Sequence, residues 1–122
     1  MKRSLAVILA LLLGACSLLP EVKDTTAGWS ADKLYSEAKD EIAAGGYTNA
    51  IKYLEKLEAR YPYGRYAQQA QIELAYVYFK DGDPTSSLAA CDRFIKLHPN
   101  HPNIHYVYYL TGLVNFNEDL GL

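Results

Sequence analysis

The stretch AKDEIAAGGYTNAIKYLEKLEARYP, Ala38 to Pro62, returns 37 residues later as AYVYFKDGDPTSSLAACDRFIKLHP, Ala75 to Pro99. Few residues are identical, but their classes agree. Ala38 falls on Ala75, and Ala75 on Gly112; Gly45 falls on Gly82; Ala50 falls on Ser87. Leu54 falls on Cys91, Leu57 on Phe94 and Pro62 on Pro99. Small-on-small, apolar-on-apolar and Pro-on-Pro matches at one offset are the mark of an internal repeat.

Each unit reads as two helices. Leu34, Tyr35, Ala38 and Ile42 are spaced by three and four, which predicts a helix over 31–44, stopped by Gly45-Gly46. Ser30 suits its N-cap, with Trp29 packing on Leu34. Thr48 is placed to cap a second helix over 49–60, which Tyr61-Pro62 ends. The next unit predicts helices over 66–80 and 84–97, the latter opened by Asp83-Pro84 as N-cap and N1. A further first helix is expected over about 103–116. No stretch alternates like a half-buried strand, so the fold class is all-α.

The positions match tetratricopeptide (TPR) repeats. Small residues at Ala38, Ala75 and Gly112 let paired helices close, and Pro62 and Pro99 end the units. The TPR period is about 34; the longer one here implies longer turns between repeats. A helical-hairpin solenoid follows, with repeats at about 30–62, 66–99 and an incomplete 103–122. In that frame Tyr106, Val107, Tyr109, Leu110 and Leu113 lack a closing second helix. The expectation is a piece of a longer protein, or one that needs a partner there.

The N-terminus carries a different signal. Lys2 and Arg3 precede the apolar run SLAVILALLL, Ser4 to Leu13. That is the layout of a secretory signal, and too short to cross a bilayer, which needs roughly 20 apolar residues. Leu13-Gly14-Ala15-Cys16 resembles the lipobox of bacterial lipoprotein precursors. The resemblance implies cleavage between Ala15 and Cys16, diacylglycerol on the Cys16 thiol and an N-acyl chain such as palmitate. Such a cysteine anchors without a spanning helix. Ser17 lacks the Asp that retains lipoproteins at the inner membrane, so the outer membrane, inner leaflet, is implied. Residues 1–15 are then signal peptide, 16–28 a flexible tether and 29–122 the domain.

Composition narrows function. Without Lys2 and Arg3 the 12 basic residues fall to 10, against 14 acidic ones. That balance speaks against nucleic acid and against a polybasic membrane-surface patch. With Cys16 acylated, Cys91 is left alone and reads as a helix-packing residue. His98, His101 and His105 lie close in sequence, but Pro99 and Pro102 hold them in a turn without Cys or acidic partners, so no metal is expected. Acidic pairs such as Asp40-Glu41 and Glu118-Asp119 read as solvated faces. No nucleophile elbow, P-loop or HExxH occurs, so neither catalytic residues nor an enzyme is expected.

With lipobox, tether and long-period repeats assembled, the chain resembles the BamD/ComL family, lipoproteins of the outer-membrane β-barrel assembly (Bam) machinery. The carrying residues are W-S-x-x-K-L-Y at Trp29 to Tyr35, Y-T-x-A at Tyr47 to Ala50 and L-E-x-R-Y-P at Leu57 to Pro62. Ala75 to Asp81, Leu97 to Asn103 and Tyr109 to Asp119 continue the match. The resemblance implies a scaffold that helps insert β-barrel proteins into the outer membrane. It also implies BamA and other Bam lipoproteins as partners, BamC for this half, and a groove for unfolded barrel precursors. First helices of TPRs line a concave face, which gives as groove candidates Tyr35, Lys39, Ile42, Ile72, Tyr76, Phe79, Tyr109, Leu113 and Phe116. Two other readings stand beside it: a TPR adaptor of peptidoglycan or pilus assembly, and a small-ligand-binding lipoprotein with a closed pocket.

Overall fold

The computed structural model describes residues 20–121. The signal-peptide and lipobox assignments, Cys16 included, lie outside them. Five helices follow one another: α1 Ala31–Ala44, α2 Tyr47–Arg60, α3 Arg65–Lys80, α4 Pro84–Leu97 and α5 Ile104–Asp119. Among the described residues there is no strand, and no helix is long and apolar enough to cross a membrane. Each helix packs on its successor, and the first helices pack on one another, α1 on α3 and α3 on α5. That is the stacked-hairpin arrangement the repeat predicts.

The turns inside the two hairpins are the same device. Gly45 ends α1 at φ 78°, and Gly82 follows α3 at φ 83°, a conformation a side chain disfavours. The amides beyond them reach back five residues, Gly46 to the Glu41 carbonyl at 2.8 Å and Asp83 to the Tyr78 carbonyl at 2.9 Å. Both are Schellman closures. The Asp83 carboxylate then accepts from the Ser86 amide and caps α4, with Pro84 at the first position. Ser30 caps α1 by accepting from the Lys33 amide.

One cap differs from expectation. Helix α2 starts two residues earlier than its sequence suggests, with Gly46 as N-cap and no capping side chain. Thr48 therefore lies inside the first turn, and its hydroxyl bonds to the Asp81 carboxylate of the next repeat at 3.3 Å. The Schellman turn delivers the chain in helical register before Thr48 is reached.

The core forms two joined clusters. One gathers Leu34, Ala38, Ala50, Leu54, Leu57, Ala70, Leu74 and Val77; the other gathers Ile72, Ala75, Ala90, Cys91, Phe94, Ile104, Val107, Leu110 and Val114. Ala38 and Ala75 are buried at the hairpin crossings, whereas a Cβ on Gly112 would meet nothing. Cys91 is a free, buried thiol, and burial pushes its pKa up. The last helix is less bare than its sequence suggests: Val107 and Leu110 are fully buried against the second hairpin, leaving Tyr106, Tyr108, Tyr109 and Phe116 exposed. Neighbouring first and second helices of the preceding repeat already cover the inner stripe of α5.

Leu54→Ala removes a fully buried side chain from the first cluster. It is expected to destabilise the domain by about 2–5 kcal/mol, read as a lower urea midpoint at unchanged m-value.

Candidate functional site

The concave side is built by α1, α3 and α5, and its centre is charged. The Glu73 carboxylate on α3 receives the Lys39 ammonium at 2.9 Å. The Tyr35 hydroxyl donates to it at 3.4 Å and the Gln69 amide at 3.5 Å. The contact with Glu73 raises the Lys39 pKa; burial first, then the Glu73 charge, raises that of Tyr35. Tyr35 also packs on Tyr66 with ring centroids 5.6 Å apart. Two depressions flank this node. One, of about 350 Å³, is lined by Gln69, Ile72, Glu73, Asn103 and Tyr106; the other, of about 170 Å³, by Tyr35, Arg65, Tyr66 and Gln69.

The nine groove candidates divide by burial. Ile72 is 4% exposed and belongs to the core, touching the face only as the floor of the larger depression. Tyr76 bridges both core clusters, Phe79 and Leu113 pack on the second, and Ile42 packs on the first. Tyr35 and Lys39 are engaged by Glu73. Only Tyr109 and Phe116, 63% and 60% exposed, present aromatic surface outright. Stacking of repeats closes most of the trough that helical spacing predicts. Tyr106, expected from the sequence to lack a partner helix but not named as a groove residue, joins Tyr109 with centroids 6.5 Å apart. Glu73 was also missed, because the 37-residue offset pairs Lys39 with Tyr76 and Glu73 lies one helical turn before it.

A second feature was invisible in the sequence. The last residues of the expected flexible tether are docked. Asp24 receives both the Lys56 ammonium, at 2.6 Å, and the Arg60 guanidinium of α2. Thr26 is 2% exposed, its hydroxyl bonded to Asp24 and its carbonyl accepting from Arg60 at 2.6 Å. Tyr61 donates to the Trp29 carbonyl at 2.7 Å, and Trp29 packs on Tyr53 as well as against the Leu34 cluster. The Lys56 contact, then Thr26, hold the Asp24 carboxyl well below its ordinary value of 3.8.

The His98 and His101 rings pack on Phe94, at 5.0 and 5.1 Å between centroids. Among the described residues no three His, Cys, Asp or Glu side chains converge as a metal site would require.

A family model described as "YfiO: Outer membrane lipoprotein" matches residues 28–122. The chain belongs to this family. Relatives named "Outer membrane protein assembly factor BamD" agree with it. The Neisseria meningitidis serogroup B protein is 52% identical over 121 residues, covering 97% of this chain and 45% of its own length. The Vibrio cholerae protein is 38% identical over 118 residues, covering 96% and 48%. The Haemophilus influenzae protein is 31% identical over 112 residues, covering 92% and 41%. The chain thus spans about half the length of the relatives it matches, and YfiO-family membership is carried by its helical repeats.

A carboxylate held low contributes stability that is present above its unfolded pKa and lost as pH falls. Docking of residues 24–29 is therefore expected to be complete at neutral pH and to weaken below about pH 4. Asp24→Asn should speed hydrogen exchange at the Ala27 and Trp29 amides, which close this turn, while leaving the global unfolding midpoint nearly unchanged.

Proposed function

We propose that this chain serves as a lipid-anchored TPR scaffold of outer-membrane β-barrel protein assembly, facing the periplasm. Membership of an outer membrane lipoprotein family, with relatives named as assembly factors, supports it. Acylation of Cys16 after cleavage from Ala15 supplies the anchor, in keeping with the lipobox. The scaffold's partners are the other Bam components, BamA and BamC among them, and unfolded barrel precursors. Its work is binding, with no covalent step assigned to any residue.

The observation that carries the client-binding part is the exposed aromatic strip of Tyr106, Tyr109 and Phe116 on α5, beside the Gln69–Tyr106 depression. Barrel strands ending in aromatic residues need such surfaces while unfolded. An extended segment with alternating side chains can lay its rings on the strip and its backbone amides toward Glu73. Tyr and Phe give much contact area for little lost conformational freedom. Tyr109 and Phe116 take the role that spacing also gave to Tyr76 and Phe79, because those two are engaged in holding repeats together.

Replacing Tyr109 and Phe116 together by Ala is expected to weaken binding of barrel C-terminal peptides about tenfold or more, with unchanged helical circular dichroism. Unaltered affinity would remove the strip from the proposal. Membership of the machinery is checked separately, by co-purification of BamA after mild detergent extraction.

A further inference from the structure

Successive helices alternate direction, so the domain has two ends. At one lie the docked segment 24–30 and the turns 61–64 and 98–103; at the other lie the turns at Gly45 and Gly82 and the end of α5. Outside α5 and its C-cap Leu120, which is exposed at the other end, the exposed large apolar side chains among the described residues are Val22, Tyr61, Tyr63 and Leu97. All four belong to the first end. Tyr63 is 91% exposed at the tip of its turn, next to Arg65, whose guanidinium lies 5.1 Å from the Tyr66 ring centroid.

Charge divides along the same axis. Within five residues of the first end, Lys23, Lys33, Lys56, Arg60, Arg65, Arg93 and Lys96 face Glu21, Asp24, Asp32 and Glu58. Many of these are ion-paired, so this end is mildly basic; Arg65 is in none of the ion pairs among the described residues. Within five residues of the other end lie Asp40, Glu41, Asp81, Asp83, Glu118 and Asp119 against Lys80 alone. The excess of acidic residues that spoke against a membrane-surface patch is therefore gathered at one pole.

We propose that the first end lies against the headgroups of an anionic phospholipid bilayer, with the acidic end turned away. The inference rests on the reading of Cys16 as the anchor. Seven residues lie between Cys16 and the docking point at Asp24, so eight steps along the chain give a reach of at most about 28 Å whatever their conformation. The latch thus fixes the anchor to this end rather than to the domain at large. At that distance the effective concentration of lipid surface is high, so individually weak contacts become populated. Tyrosines with Lys and Arg are the side chains that settle at headgroup level. A shallow concavity of about 380 Å³, lined by Gln68, His98, Asn100 and His101 among others, opens on the same end. Repulsion of the acidic pole by anionic lipid acts in the same sense.

The test uses the mature lipoprotein in phosphatidylethanolamine vesicles with or without phosphatidylglycerol. Environment-sensitive fluorophores are attached through Asn100→Cys or Asp81→Cys, Cys91 being buried. The label at Asn100 should brighten and shift to the blue when phosphatidylglycerol is present, and the label at Asp81 should not. Arg65→Gln should reduce the Asn100 response about five-fold with unchanged circular dichroism. Equal responses at the two positions, or none that depends on phosphatidylglycerol, would overturn the proposal. Mass spectrometry of the Cys16 peptide decides the anchor reading independently: without acyl chains that reading falls, while the two labels still decide the orientation.

Discussion

Close approach of paired helices at small side chains is the constraint from which the rest follows. At the second hairpin, the fully buried Ser87 hydroxyl donates to the Ala75 carbonyl at 2.6 Å. A side-chain hydroxyl can reach a helical carbonyl only when the two backbones nearly touch. Ala38 and Ala50 occupy the equivalent positions of the first hairpin and are fully buried. Larger residues would separate the helices and open voids along the whole crossing. Once each hairpin closes at this point, the identical glycine turns fix its angle, and the open faces can be buried only against the next hairpin.

That stacking has a consequence for binding. First helices lie side by side, so residues that helical spacing turns outward meet the neighbouring helix. Tyr76 and Phe79 are spent on this contact, and Ile72 disappears into the core. In place of an open apolar trough the face carries a charged node, Glu73 with Lys39, which ties α1 to α3. Free aromatic surface is displaced to α5, where Tyr109 and Phe116 stay more than half exposed. A client bound there would meet rings on one side and a polar, hydrogen-bonding wall on the other.

The same packing gives the domain two chemically different ends. Alternating helix direction brings Asp24, Lys56, Arg60 and Tyr61 together although 37 positions separate the first from the last. The resulting latch joins tether to solenoid at a defined place. The segment entering the solenoid thereby has a fixed exit point that a flexible linker would not provide, because its orientational freedom is removed where Asp24 and Thr26 dock on α2.

Much of the fold was legible without coordinates. Periodicity at three and four, glycines, prolines and the Asp83-Pro84 pair placed all five helices within a few residues, because these signals act locally on the backbone. The repeat offset gave the solenoid, because equal spacing demands equal hairpins. The start of α2 was misread, since the turn before it, rather than Thr48, sets its register. The functional face was legible only as a set of faces. Which of Tyr35, Ile72, Tyr76, Phe79, Tyr109 and Phe116 remain free depends on how closely hairpins stack, a property of pairs of repeats. The latch at Asp24 and the separation of charge between two ends were decided by tertiary structure alone, because both depend on which distant residues alternating helices bring to the same end.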